Sequence, residues 1–248
     1  MTPPTAATNS VQLFITCIVD ALYPDVGEAV VAVLERVGVK VEFPAAQTCC
    51  GQPGYNAGYR DDSRRVALHF LDVFSLTDGP IVTPSGSCAA MIKHGYPDLF
   101  ADDPVNLPRA KAVAGRTFEF SQYLVWELGL ADVGARHDGV LTYHPSCHLL
   151  RGLHERETPL TLLRHVRGAT LVELPGAEEC CGFGGLFSVK LPEVSGEMLA
   201  RKMNNLQAAS APLAVTCDAG CLTHLNGGLH RAGSSQRVVH LAEILAKT

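Results

Sequence analysis

Eight of the nine cysteines in this chain fall into two sets of four with matching spacing, and this repetition limits the fold more than any other feature. Cys17 is followed by 31 residues, then Cys49-Cys50, then 37 residues, then Cys88. Cys147 is followed by 32 residues, then Cys180-Cys181, then 39 residues, then Cys221. Equivalent cysteines lie 130 to 133 positions apart. The flanks repeat as well: Val41-Glu-Phe-Pro44 matches Val172-Glu-Leu-Pro175, and Cys49-Cys-Gly-Gln-Pro-Gly54 matches Cys180-Cys-Gly-Phe-Gly-Gly185. Pro80-Ile-Val-Thr83 and Leu213-Ala-Val-Thr216 each run toward the last cysteine of their set, and 118–128 resembles 238–245. Self-similarity over so many positions is the mark of a duplicated unit.

The repeat divides the 248 residues into a short tail over 1–10 and two units over 11–135 and 136–248. The tail is rich in Pro, Thr and Ala and reads as disordered. Short apolar, β-branched runs over 11–16, 39–43, 80–84, 140–144, 169–174 and 213–216 predict buried strands. Helical spacing predicts helices over 25–37, 61–75, 109–116 and 121–129, then over 157–167, 193–209 and 238–246. Strands alternating with helices predict an α/β fold: two Rossmann-like units with parallel sheets, related by an approximate two-fold. Each cysteine site follows a strand, so the thiols collect at strand C-terminal ends, where open α/β sheets bind ligands.

Composition narrows the chemistry. With 47% hydrophobic and 18% charged residues, the chain can form a sizeable core without disulfides. A net charge of −5 and no basic patch argue against nucleic acid as a partner. No apolar run reaches the ~18 residues of a membrane helix. A cytoplasmic location is therefore expected, where thiols stay reduced and a disulfide scaffold is disfavoured.

Four thiolates around one point repel one another unless a cation or cluster neutralises them. Zinc takes four thiolates, and a [4Fe–4S] cluster takes one per iron. Adjacent cysteines suit the larger cluster better than a tight zinc tetrahedron, which favours iron–sulfur and leaves zinc as the alternative in one half. Gly51, Gly182, Gly184 and Gly185 would let backbone N–H groups approach bound sulfur. Cys217 and Asp218 are auxiliary candidates, Asp218 equally as a turn residue. His144 and His148 flank Cys147 and are candidate bases or hydrogen-bond donors. Lys190, after the second glycine loop, is a candidate for holding a carboxylate, and Lys93 is the more solvated of the two lysines. No phosphate loop and no dinucleotide fingerprint is present.

These segments, with His144-Pro-Ser-Cys-His148 and the Phe187-Ser-Val-Lys190 that trails the second glycine run, resemble the CCG cysteine-rich domain family. Its members include a subunit of heterodisulfide reductase, the glycolate oxidase iron–sulfur subunit and the iron–sulfur proteins of lactate utilization. The resemblance covers nearly the whole chain beyond its first ten residues. It implies an iron–sulfur, electron-carrying subunit of an oxidoreductase complex that converts L-lactate, a small 2-hydroxy acid, to pyruvate. It also implies two partners, one of them a ferredoxin-type iron–sulfur protein. The heterodisulfide reductase type ends each repeat with Cys-x-x-Cys, whereas Ser85 and Asp218 stand at the first of those positions here. Clusters needing five thiolates are thus disfavoured relative to four-cysteine cubanes.

Overall fold

The apolar runs form two four-stranded parallel sheets. The computed structural model describes residues 10–248. The tail expected over 1–10 lies outside the described residues, apart from Ser10, which opens the first strand. In the first unit β1 (Ser10–Leu13), β2 (Lys40–Glu42), β3 (Ile81–Thr83) and β4 (Thr117–Glu119) lie in the order β2-β1-β3-β4. In the second, β5 (Arg136–Tyr143), β6 (Arg167–Val172), β7 (Leu213–Thr216) and β8 (Arg237–His240) lie in the order β6-β5-β7-β8. Leu13 pairs with Val82 and Tyr143 with Val215, so the two sheets share their register as well as their order. In each sheet the order reverses direction beside the first strand, which is where such sheets leave a crevice at their carboxyl ends.

Helix amphipathicity joins the units. Helix Pro24–Arg36 starts on a proline, whose missing N–H costs nothing there, and buries Val26, Ala29, Val30, Val33 and Leu34 on one face. That face lies on helix Leu241–Leu245 of the other unit. Arg36 fastens the same contact, donating to the carbonyls of Leu245 at 2.8 Å and Val133 at 3.3 Å. The equivalent helix, Glu157–Arg164, lies on helix Phe120–Gln122 and the turn beyond it. One apolar core therefore crosses the boundary, including Val30, Leu34, Leu124, Leu163 and Ile244. Phe14, Phe70, Phe74 and Tyr96 form a second core within the first unit, and Leu199, Leu206, Leu225 and Leu229 form a third that Val19 and Val26 of the first unit join.

The structure corrects several boundaries. Residues 238–246, expected as one helix, are strand through His240 and helix only over Leu241–Leu245. Its counterpart, strand β4 followed by helix Phe120–Gln122, repeats the change of conformation. Both changes are fixed by a capping box. Glu119 accepts from the N–H of Ser121 while Gln122 accepts from that of Glu119. His240 accepts from the N–H of Ala242 while Glu243 accepts from that of His240. Helix Ala219–Arg231 was not foreseen, because its three glycines weaken the helical signal. None of the helices among the described residues is long and apolar enough to cross a membrane.

Candidate metal centre

Three loops of each unit deliver the cysteines to one cleft. Cys17 opens the helix after β1, Cys49 and Cys50 close the loop after β2, and Cys88 sits in the first turn of helix Gly86–Ala90 after β3. Cys147 precedes a π-helical turn, His148–Gly152, after β5. Cys180 and Cys181 follow β6, and Cys221 sits in the first turn of helix Ala219–Arg231 after β7. All eight line the same cleft, so the two sets face one space between the units. None of the nine cysteines is in a disulfide.

The sets have the same internal order. Cys50 and Cys88 are buried with sulfurs 3.2 Å apart, and Cys181 and Cys221 are buried with sulfurs 3.4 Å apart. The outer members, Cys17 with Cys49 and Cys147 with Cys180, are more open, and the Cys17 and Cys49 sulfurs lie 3.6 Å apart. One sulfur per set is prepared to be anionic. Thiols of Cys17 and Cys50 donate to Cys49 and hold it down at about 2, helped by the Gly51 N–H at 3.4 Å. Thiols of Cys147 and Cys181 do the same for Cys180, also at about 2, with the Gly182 N–H at 3.4 Å. The donating thiols of Cys17 and Cys147 are pushed up in turn, by those hydrogen bonds and then by burial.

The glycines make this approach possible. Gly51 has φ +82° and Gly182 φ +93°, a left-handed turn that an L side chain rarely adopts. At Gly182 a Cβ would also stand 2.7 Å from the Ser195 carbonyl oxygen. Gly184 and Gly185 adopt the left-handed region too, and both line the cleft.

The other candidates separate. His144 is fully buried, and a ring nitrogen together with the sulfurs of Cys181 and Cys221 forms a group within 4.8 Å. Neither ring nitrogen has a hydrogen-bond partner among the described residues. Burial, and then the charge of Lys202, hold His144 down at about 3, so the ring is neutral. His148 lines the cleft, its Nδ1 3.6 Å from the Cys147 sulfur. Lys190 is exposed and stands over the Tyr59 ring at 5.1 Å, outside the cleft lining. Lys93 is the better covered of the two lysines, against expectation, because it donates to the Thr117 carbonyl at 2.8 Å. Cys217 is buried behind the cleft, 3.8 Å from the Tyr143 hydroxyl. Asp218 lines the cleft as a helix cap, accepting from the N–H groups of Gly220 at 3.0 Å and Ser87 at 2.9 Å.

Lys202 was missed. It lies mid-helix in Pro192–Ala209, where a lysine normally faces water, yet it is fully buried and donates to the Gly176 carbonyl at 2.6 Å. Comparing the repeats would have exposed it: Lys202 stands where the first unit has Phe70. The donor set as a whole suits a metal or iron–sulfur group. It offers eight convergent sulfurs, N–H groups aimed at two of them, and a buried imidazole without a hydrogen-bond partner among the described residues.

Comparison with known proteins agrees with this geometry. The cysteine-rich CCG domain matches residues 11–93 and 141–226, one match per unit. Lactate utilization protein A of Geobacillus thermodenitrificans (strain NG80-2) is 47% identical over 235 residues, covering 95% of this chain and 98% of that protein. The protein of the same name from Exiguobacterium sp. is 46% identical over 237 residues, covering 95% and 96%. That from Bacillus cereus (strain G9842) is 45% identical, covering 95% and 98%. With both units matched and near-complete coverage of these relatives, which are named lactate utilization protein A, the chain belongs to the cysteine-rich CCG domain family.

Proposed function

We propose that this chain is an iron–sulfur electron-transfer subunit of a cytoplasmic complex that oxidises L-lactate to pyruvate. Cys17, Cys49, Cys50 and Cys88 would hold one [4Fe–4S] cluster, and Cys147, Cys180, Cys181 and Cys221 a second. The observation that carries this reading is the convergence of two equivalent sets of four thiols on one cleft. Oxidation of a 2-hydroxy acid to a 2-oxo acid releases two electrons and two protons. Two one-electron cofactors, once bound, could accept those electrons. The residues of this chain would hold the cofactors through sulfur, with the Gly51 and Gly182 N–H groups on the Cys49 and Cys180 sulfurs and the Cys50, Cys88, Cys181 and Cys221 sulfurs on the buried side. The direct acceptor or donor would be a ferredoxin-type iron–sulfur protein, with a third subunit completing the complex. The relatives' shared name supports the lactate assignment. Growth on L-lactate tests it: a strain carrying Cys181→Ala should fail to grow on lactate while growing on glucose. Normal growth with the protein still abundant would remove lactate from consideration.

A second reading has its own observation. His144 with Cys181 and Cys221 offers a mixed nitrogen and sulfur donor group, which zinc accepts readily. Zinc in the second unit would make that half structural, an assembly element of the same complex. Metal content of protein purified without oxygen separates the two readings.

A further inference from the structure

We propose that the two cysteine sites are electronically inequivalent, the second held at the higher reduction potential by His144 and Lys202. The inference rests on the reading that both sites hold iron–sulfur clusters. It comes from the wall behind the inner cysteines, where the two units differ in chemistry.

Equivalent positions are fixed by backbone geometry. The Phe14 N–H donates to the Val82 carbonyl at 2.9 Å, and the His144 N–H donates to the Val215 carbonyl at 2.8 Å. Val82 and Val215 occupy the same step of their sheets. Phe14 and His144 are therefore counterparts, each three residues before the first cysteine of its set. On the covering helices, Ser63 and Ser195 are counterparts: their N–H groups donate to Tyr59 and Leu191, both at 3.0 Å. Seven residues further along each helix come Phe70 and Lys202.

The walls behind the two sites are thus of opposite kinds. Phe14 and Phe70 meet edge to face with centroids 4.9 Å apart, in the same cluster as Cys50 and Cys88. In the second unit, a buried imidazole beside Cys181 and Cys221 and a buried ammonium take those places. The carbonyls of Gly176 at 2.6 Å and Ala177 at 3.3 Å hold the ammonium in position. Reduction of a cluster adds negative charge. An N–H directed at cluster sulfur and a nearby positive charge stabilise the reduced form, and an aromatic wall does not. Neither ring nitrogen of His144 has another partner among the described residues, so an N–H of the ring is left to meet sulfur beside Cys181 and Cys221. An electron shared between the two sites therefore resides preferentially at the second. His144 and Lys202 act as positioning residues, through the cluster's environment.

The test is a potentiometric titration followed by electron paramagnetic resonance on the anaerobic holoprotein, with iron, sulfide and zinc measured on the same sample. Wild-type protein should show two separated midpoints. His144→Phe and Lys202→Met should each lower the upper midpoint and leave the lower in place. Phe14→His should raise the lower one. Pulsed spectra should show a weak nitrogen coupling at the higher-potential cluster that His144→Phe abolishes. If His144→Phe loses its second cluster, Lys202→Met carries the test. About eight iron and eight sulfide per chain with coincident midpoints would overturn this inference and leave the proposed function standing. So would an upper midpoint that moves in neither variant. Zinc without sulfide would overturn the proposed function itself.

Discussion

The Ser85 hydroxyl donates to the Asp218 carboxylate at 3.2 Å across the boundary between the units, and the two residues are counterparts. Each caps the helix that carries the last cysteine of its set, Ser85 accepting from the Cys88 N–H and Asp218 from that of Gly220. These are the positions where the heterodisulfide reductase type has an additional cysteine. Here they join the two sites to each other.

Asp218→Ala removes three hydrogen bonds at once, from Ser85, Ser87 and Gly220. Loss of the cap and of the cross-boundary contacts is expected to cost about 2–3 kcal/mol. Denaturant unfolding of the anaerobic protein measures it. Asp218→Ser, which keeps a capping oxygen, should recover roughly half of the loss. Equal stability of Asp218→Ala and the native protein would show that the contact contributes nothing.

Cys217 and Cys181 should behave oppositely although they lie in one unit. Cys217→Ala empties a small buried volume beside Tyr143 and should cost about 1 kcal/mol, with metal content intact. Cys181→Ala should cut iron and sulfide to about half, since one of two four-sulfur sites is broken. Metal analysis of the two purified variants decides this, and metal loss on Cys217→Ala would make that sulfur a ligand.

Gly182→Ala is both strained and obstructed, with φ +93° and a Cβ 2.7 Å from the Ser195 carbonyl oxygen. Gly38→Ala has a similar φ, +81°, and open space around its Cβ. The first should lose about 3 kcal/mol or more and the second about 1 kcal/mol. Thermal unfolding of the two variants side by side would show this, and equal losses would mean that the close approach at Gly182 carries no cost.

Glu119 gives the fold a pH dependence apart from the thiols. Burial pushes its carboxyl up to about 7 from 4.5, and one of its oxygens has no partner among the described residues. The folded protein therefore keeps a proton that the unfolded chain releases above about pH 4.5. Stability from this group is fully present below pH 4.5 and is lost as pH rises through about 7. Relative to Glu119→Gln, the native protein should lose up to about 3 kcal/mol between pH 5 and pH 8. Parallel denaturation curves for the two proteins across that range would contradict the assignment.

Much of this architecture was readable from spacing. The doubled cysteine pattern located both units, and the β-branched runs located six of the eight strands. Strands β4 and β8 escaped because each runs directly into a helix. A helical window takes β8 into the expected helix over 238–246, and β4 falls between the helices expected over 109–116 and 121–129. His144 was singled out for its neighbour Cys147, yet its side chain faces Cys181 and Cys221, far along the chain. It stands one residue beyond β5, beside the loops after β6 and β7, and no local pattern carries that information. Lys202 was hidden for a related reason. Its burial depends on carbonyls of the loop before Cys180, which accept its charge only once the helix has docked.

Iron and acid-labile sulfide in protein purified without oxygen test the central claim most directly. About four iron and four sulfide per unit, in a brown protein, are expected, with half of each remaining in Cys181→Ala. A colourless protein holding stoichiometric zinc and no sulfide would contradict the claim.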